Sequence, residues 1–205
     1  MEELSKSILE RIPLYLHYLK SKELEEVTNV SSAKIAKGVK LGEVQVRKDL
    51  AKISGAGRPR TGYVKDELVA DLTAVVNHEK GLSAVICGAG KIGKALLSFD
   101  GFEEYGIKMI AAFDNDEGKL GDYDGKPIYP IGALKKFVKS ERVKIGVIAV
   151  PDRFAQDVCD QLILSGVKAI WNFAPTRLNV PDGVVLRNEN LAVSLAVLSA
   201  KLKKR

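Results

Sequence analysis

Ala84-Val85-Ile86-Cys87-Gly88-Ala89-Gly90-Lys91-Ile92-Gly93 sets the fold of the larger part of the chain. Its uncharged apolar run predicts a buried strand, and three glycines in the spacing Gly-x-Gly-x-x-Gly lead into a helix opening at Lys91-Ile92. Each glycine has a physical task in a dinucleotide-binding turn. Gly88 allows the tight bend, Gly90 leaves bare backbone for a pyrophosphate, and Gly93 lets helix and strand pack closely. Ala89, Lys91 and Ile92 complete the loop, and the helix start supplies free N–H groups and partial positive charge for phosphate.

Working outward, Ile107–Phe113 reads as a second strand ending in Asp114, 21 residues beyond Gly93. An acid at that distance suits the ribose hydroxyls of adenosine and repels a 2′-phosphate, which favours NAD(H) over NADP(H). Asp116 and Asp122 fall in a polar loop, Asn115–Gly125, and are expected to be solvated. Lys144–Val150 forms a third strand ended by Pro151. Asp152 is placed to cap the next helix, in which Val158, Leu162 and Ile163 look toward the sheet. Val167–Phe173 supplies a fourth strand, closed by Ala174-Pro175. Strands and helices alternate over short links, which predicts an α/β domain with a mainly parallel, Rossmann-type sheet. Ligands in such folds bind beyond the carboxyl ends of the strands, which puts Gly88, Asp114, Val150, Pro151 and Asn172 on one rim.

Upstream the pattern is helical. Leu4, Ile8, Ile12, Leu16 and Leu19 recur at three- and four-residue spacing, with Pro13 expected to kink or split the helix near Ile12. Ser31-Ser32 offers a cap for a short helix Ala33–Lys37 that Gly38 would end. A tight turn, Val39–Gly42, leads into a second helix from Glu43 to Ser54. Short helix, tight turn, longer helix is the helix-turn-helix arrangement. In the second helix Val46, Leu50 and Ile53 converge on a core side. Val44, Gln45, Lys48, Ala51 and Lys52 lie opposite, with Arg47 on the flank. Cations suit guanine, an amide suits adenine, and small apolar groups suit a thymine methyl, so this outer face is the candidate reader of a major groove. The loop Gly55–Tyr63 follows, with Arg58 and Arg60 at the tip of a predicted hairpin wing. A linking helix capped by Asp66, with Leu68, Leu72 and Val75 or Val76 inward, ends at a boundary over Asn77–Gly81. His78 is read as a solvated residue of that boundary.

Charge placement agrees. The chain carries +6, yet residues 34–65 hold nine basic side chains against two acids, so this segment is +7 and the remainder −1. Concentrated positive charge of this kind is the footprint of a polyanion-binding module. Two cysteines in apolar segments argue against a disulfide framework and for a reducing cytoplasm. No apolar run approaches the roughly 20 residues that cross a membrane, and the acidic start Met1-Glu2-Glu3 is unlike a signal peptide. The last helix, from about Asn190 to Leu202, is apolar nearly all round, which predicts burial against a second subunit.

Groups for chemistry on a nicotinamide ring are missing. Both histidines, His17 and His78, fall outside the nucleotide domain, and no Cys/His cluster has metal-binding spacing. These features argue against a small NAD-dependent oxidoreductase with a basic accessory domain. The charged helix-turn-helix argues against a nucleotide-binding scaffold that ignores DNA.

Several stretches together resemble the Rex family of bacterial redox-sensing transcriptional repressors, over essentially the whole length. They are Gln45-Val46-Arg47-Lys48-Asp49-Leu50, the wing ending Gly62-Tyr63, the run Gly88 to Leu97, Phe113-Asp114, Ala149-Val150-Pro151 and Asn172-Phe173-Ala174-Pro175. The resemblance implies a winged helix-turn-helix domain over 1–78 and a Rossmann NAD(H)-binding domain over 79–188. A C-terminal helix over 189–205 would be exchanged between the subunits of a homodimer. It also implies operator binding with NAD+ and release as NADH accumulates, and it places Phe99 near the nicotinamide, where relatives carry Tyr. Family members pair an Arg in the first helix with an Asp before the last helix of the other subunit. The matching positions here are His17 and Asn190, so that switch contact is expected to be weaker. It would be a neutral or pH-sensitive contact, and the response to NADH would be altered.

Overall fold

The computed structural model describes residues 4–76 and 81–202. The expected boundary around His78 and the last three basic residues lie outside the described residues. By its contacts the chain divides into two compact units, Met1–Glu79 and Lys80–Arg205.

The first unit is helical, with α1 (Lys6–Leu9), α2 (Ile12–Leu19), β1 (Asn29–Val30), α3 (Ser32–Val39), α4 (Glu43–Ser54), β2 (Tyr63–Val64) and α5 (Lys65–Val76). Pro13 falls in the first turn of α2, where its missing N–H has no helical partner to lose, so the apolar stripe divides into two helices there. The Ser31 hydroxyl caps α3 by accepting the Lys34 N–H at 3.1 Å. Gly38 does not end that helix. α3 runs to Val39 and Lys40 takes the left-handed conformation, at φ 55°. Gly38 is small for another reason: a Cβ there would lie 2.2 Å from the ring of Tyr18. α5 begins at Lys65, so Asp66 sits in its first turn rather than capping it. Val46, Leu50, Leu68 and Leu72 are buried as the periodicity predicts, and Ile53 is half-buried.

One buried carboxylate ties the helices of this unit together. Asp49, on the inner side of α4, accepts hydrogen bonds from Arg11 Nε at 2.7 Å, Arg11 Nη2 at 2.9 Å and the Tyr15 hydroxyl at 2.6 Å. Burial by itself would push the Asp49 carboxyl up, but the hydrogen bonds from Arg11 and Tyr15 outweigh it and hold it below its usual range. Periodicity marks apolar faces only, so the inward turn of Asp49 has no signal in the sequence pattern.

The second unit holds β3 (Leu82–Cys87), α6 (Lys91–Leu97), β4 (Ile107–Asp114), β5 (Gly121–Tyr123), β6 (Lys126–Pro130), α7 (Leu134–Ser140), β7 (Ile145–Ile148), α8 (Asp152–Ser165), β8 (Ala169–Asn172), β9 (Val185–Asn188) and α9 (Leu191–Leu202). The sheet order is β5-β6-β4-β3-β7-β8-β9, with only the edge pair β5–β6 antiparallel. From β3 the chain winds through β4 to β6 and then returns to the other side of β3 at β7. That reversal is the topological switch point, where the ends of neighbouring strands diverge and leave a crevice. Alternate residues of β3 face opposite sides: Ala84 and Ile86 pack with Leu97 of α6, while Val85 and Cys87 pack with α7 and α8. Burial on both faces pushes the Cys87 thiol up, so it is inert.

The layout also differs from expectation in local details, besides the unforeseen β6, α7 and β9. Asn115–Gly125, expected as loop, contains the short edge strand β5, whose polar composition suits its exposed place. β7 and β8 are shorter than expected at both ends. Pro151, which has no side-chain acceptor, stands at the cap of α8, and Asp152 follows in the first turn. α9, expected to be covered by a second subunit, contributes nothing to the core of the single chain among its described residues: Leu191, Leu195, Leu198 and Leu202 are 58–71% exposed.

Replacing Asp49 with Asn removes the charge from a buried cluster and is expected to destabilise the first unit by roughly 2–4 kcal/mol, read by urea unfolding. Because the native carboxyl titrates below its unfolded value, its contribution is intact above about pH 5. It is lost as pH falls through the native value. The wild-type midpoint should therefore drop more steeply in acid than that of Asp49→Asn.

Candidate functional site

A cleft of about 710 Å³ opens at the switch point, beyond the carboxyl ends of β3, β4, β7 and β8. Its floor is the glycine turn. Gly88 has φ 101°, and a Cβ on it would lie 2.5 Å from the Ala149 carbonyl oxygen after β7. At Gly93 a Cβ would lie 1.8 Å from the Gly88 carbonyl oxygen, so α6 touches the turn backbone to backbone. Gly90 differs: a Cβ there meets nothing within 4 Å, so the space above this backbone is open. Two of the glycines thus make the turn and the third leaves it bare. Such a cradle accepts a diphosphate, whose oxygens need close backbone N–H groups and no side chain in the way.

Asp114 closes one end. It is buried, and its carboxylate accepts the Ala89 N–H at 2.7 Å and the Asp116 N–H at 2.9 Å, with Lys119 Nζ 3.3 Å away. Burial alone would raise this carboxyl. The bonds from Asp116, Ala89 and Lys119 outweigh it and keep it ionised below its usual range. Lys119 also reaches Asp116 at 3.4 Å and lines the cleft, so the acid is faced by a cation. Asp116 accepts the Gly118 N–H and Asp122 the Gly125 N–H, so both acids shape turns from exposed positions.

Of the residues expected on the rim, Gly88, Gly90, Lys91, Ile92, Asp114, Val150 and Pro151 line the cleft. Ala89 and Gly93 are buried beneath it, shaping the turn. Asn172 does not face the cleft. It is fully buried, and its amide donates to Ala174 O, Thr176 O and Asn188 Oδ1 while accepting the Ala174 N–H. Its neighbours Phe173 and Pro175 take the lining position. Phe99 lies outside the lining too, 56% exposed and edge-on to Phe102 at 4.9 Å. Residues that sequence reasoning missed are Lys119, Ile131, Phe154, Asp157 and Gln161. The last three follow from α8 periodicity once the cleft is located, since they share the flank of Val158. Lys119 and Ile131 depend on a loop and a turn with no periodicity to read.

In the first unit the outer face of α4 presents Val44, Gln45, Arg47, Lys48, Ala51 and Lys52 to solvent. The wing is a real hairpin. Arg58 and Gly62 exchange backbone hydrogen bonds of 2.8 Å, and Arg60 stands at the tip with φ 65°. Tyr63 anchors its base, with the hydroxyl on Gly55 O at 3.3 Å and Val30 of β1 opposite. Four cations, Arg47, Lys48, Arg58 and Arg60, are thereby held on exposed, defined backbone. His17 is exposed on α2, and Asn190 caps α9, its Oδ1 accepting the Val193 N–H at 2.9 Å.

Comparison with known proteins separates the same two regions. Residues 3–51 match the family model described as a putative DNA-binding protein N-terminus, and residues 79–176 match the one described as a CoA binding domain. Over 206 aligned residues, covering 98% of both chains, the sequence is 39% identical to the redox-sensing transcriptional repressor Rex of Carboxydothermus hydrogenoformans. The chain belongs to the Rex family. Among solved structures, the Rex-family repressor RSP in complex with β-NAD+ and operator DNA matches with a TM-score of 0.92 at 30% identity. That match covers 100% of this chain and 94% of the other. The same repressor with β-NADH matches at 0.85 and 29% identity, covering 100% and 96%.

Gly93→Ala should drive a methyl group into rigid backbone, costing the Rossmann unit about 2–3 kcal/mol and lowering its Tm by roughly 5–10 °C. Gly90→Ala, with open space above it, should move the Tm by less than about 2 °C. Differential scanning calorimetry of the two variants checks both.

Proposed function

We propose that the chain is a redox-sensing transcriptional repressor that binds operator DNA as a homodimer, holds NAD+ or NADH in the switch-point cleft, and leaves DNA as the NADH/NAD+ ratio rises. The observation that carries this reading is the pairing, in one chain, of a basic groove-reading face with a bare glycine cradle. Close identity to a redox-sensing repressor over nearly the whole length supports it.

The residues divide by task. Lys48, Lys52, Arg58 and Arg60 supply charge against phosphates, which sets register and affinity but carries no sequence information. Gln45, Arg47 and Val44 are assigned to base edges. In the cleft, Gly90, Lys91 and Ile92 are assigned to the pyrophosphate, Asp114 to the adenosine ribose, and Val150 and Pro151 to the crossing between β3 and β7. When bound, the nucleotide supplies a nicotinamide that is cationic if oxidised and neutral if reduced. Phe99, His17 and Asn190 are assigned to the response rather than to holding the ligand. The apolar α9 is assigned to the partner subunit, which would cover side chains that stand exposed in the single chain.

Turnover is not part of this reading, and the protein would work in the cytoplasm. The groups lining the cleft that could exchange a proton are Lys91, Asp114, Lys119 and Asp157, of which Asp114 and Lys119 are paired with each other. No group of three or more His, Cys, Asp or Glu among the described residues could hold a metal. No helix among them is long and apolar enough to cross a membrane.

Fluorescence polarisation of a labelled palindromic operator tests the proposal. Binding should be salt-sensitive, persist with NAD+, and weaken at least tenfold with NADH. No salt-sensitive binding to any duplex would overturn it. Lys48→Ala should weaken binding evenly across sequences and reduce the slope of log K against log salt by about 1.

A further inference from the structure

The wall of the cleft at β8 is tied by a continuous set of contacts to the root of α9. Phe173 and Pro175 line the cleft. Directly behind them, the buried Asn172 amide holds both ends of their loop, at Ala174 and Thr176, and donates to Asn188 Oδ1 at 2.9 Å. The Asn172 carbonyl accepts the Glu189 N–H at 2.8 Å. The Phe173 ring packs edge-on against Trp171, with centroids 4.5 Å apart, and Trp171 Nε1 donates to Glu189 Oε1 at 3.4 Å. Glu189 adjoins Asn190, whose side chain caps α9. From cleft wall to helix cap, every step is a hydrogen bond, a ring contact or a peptide bond.

We propose that Trp171, Asn172 and Glu189 form a relay that passes the state of the cleft to α9, acting as positioning residues rather than ligand contacts. The proposal rests on the reading of the cleft as the dinucleotide site. Two features single out this path. The polar atoms of Asn172 are spent on protein, so this rim residue reads the position of its own loop and not a ligand. Phe173 also offers an aromatic surface at which a cationic ring and a neutral one differ in attraction. A redox response requires such a difference, because a ligand held equally in both arrangements shifts nothing. Loop 173–175 cannot move without straining the Asn172–Asn188 and Trp171–Glu189 bonds, and both lead to the segment that opens α9. The outer end of the same aromatic row, Trp171 to Phe102 at 5.7 Å and on to Phe99, carries the contact to the surface.

Hydrogen–deuterium exchange of the full chain tests this without DNA. Amide exchange across 191–202 is compared with NAD+ and with NADH in the wild type, Trp171→Phe and Glu189→Ala, alongside nucleotide Kd by calorimetry and the Tm. Trp171→Phe keeps an aromatic ring and loses the N–H donor, and Glu189→Ala removes the acceptor from a partly exposed residue, so folding should survive in at least one. In the wild type, exchange in α9 should differ at least threefold between the two nucleotides. In each folded variant the difference should shrink to a third or less while both Kd values stay within twofold. A wild type that binds both nucleotides with no difference at α9 overturns the relay, as does an undiminished difference in the variants. A wild type that binds neither nucleotide shows in the Kd alone, and overturns the reading of the cleft and the relay with it.

Discussion

The approach of Gly93 to the Gly88 carbonyl, so close that a methyl group would sit 1.8 Å from the oxygen, is the contact on which the nucleotide unit depends. It brings α6 onto the end of β3 with no side chain between them. Gly88 is pressed in turn against the Ala149 carbonyl, so α6, β3 and the end of β7 meet at one point. The crevice at the switch point exists because these three backbones converge there while the strands beside them diverge. The Ala89 amide of this turn is then taken by Asp114 from the neighbouring strand. The turn is thereby held from both sides before any ligand arrives, and little ordering remains for binding to impose.

How much of this was legible in the sequence depends on what kind of signal each residue leaves. Gly-x-Gly-x-x-Gly and the apolar runs gave the end of β3, the start of α6 and nearly the whole of β4, because steric need in the turn and an uncharged run in a strand buried on both faces are local signals. The same holds for α4, whose period places Val46 and Leu50 inward. Short edge strands were not legible. β5 is three residues of polar chain, and β9 earns its place only by pairing with β8. Buried polar groups were harder still. Asp49 and Asn172 look like surface residues by type; Asp49 faces inward because partners distant in sequence satisfy it, and Asn172 because its own loop and the distant Asn188 do. Arg11 lies 38 residues from Asp49, and Asn188 lies 16 from Asn172. Gly38 shows the converse error, since a glycine read as a helix stop is a contact surface for Tyr18.

The basic segment gains meaning from Asp49. One of the two acids in residues 34–65 is withdrawn into the core, where Arg11 from outside the segment neutralises it. The surface of α4 is consequently more positive than composition alone implies, and its cations face away from the carboxylate beneath them. A single residue so fixes the helix against α2 and clears its outer face of negative charge. Structural and electrostatic requirements are met by turning one side chain inward.

A sensor that holds its ligand in two redox states needs a grip blind to the change and a surface that feels it. On the proposed assignment of the cleft, the clamp of Gly88, Asp114 and Lys119 would supply the first, at the adenosine and phosphate end that oxidation leaves unchanged. The β8 side would supply the second, through Phe173 and the hydrogen-bonded loop behind it. Where the family resemblance leads one to expect Tyr, Arg and Asp, this chain carries Phe99, His17 and Asn190. On this reading grip and response are separable because Asp114 ends β4 while Phe173 follows β8, on opposite sides of β3.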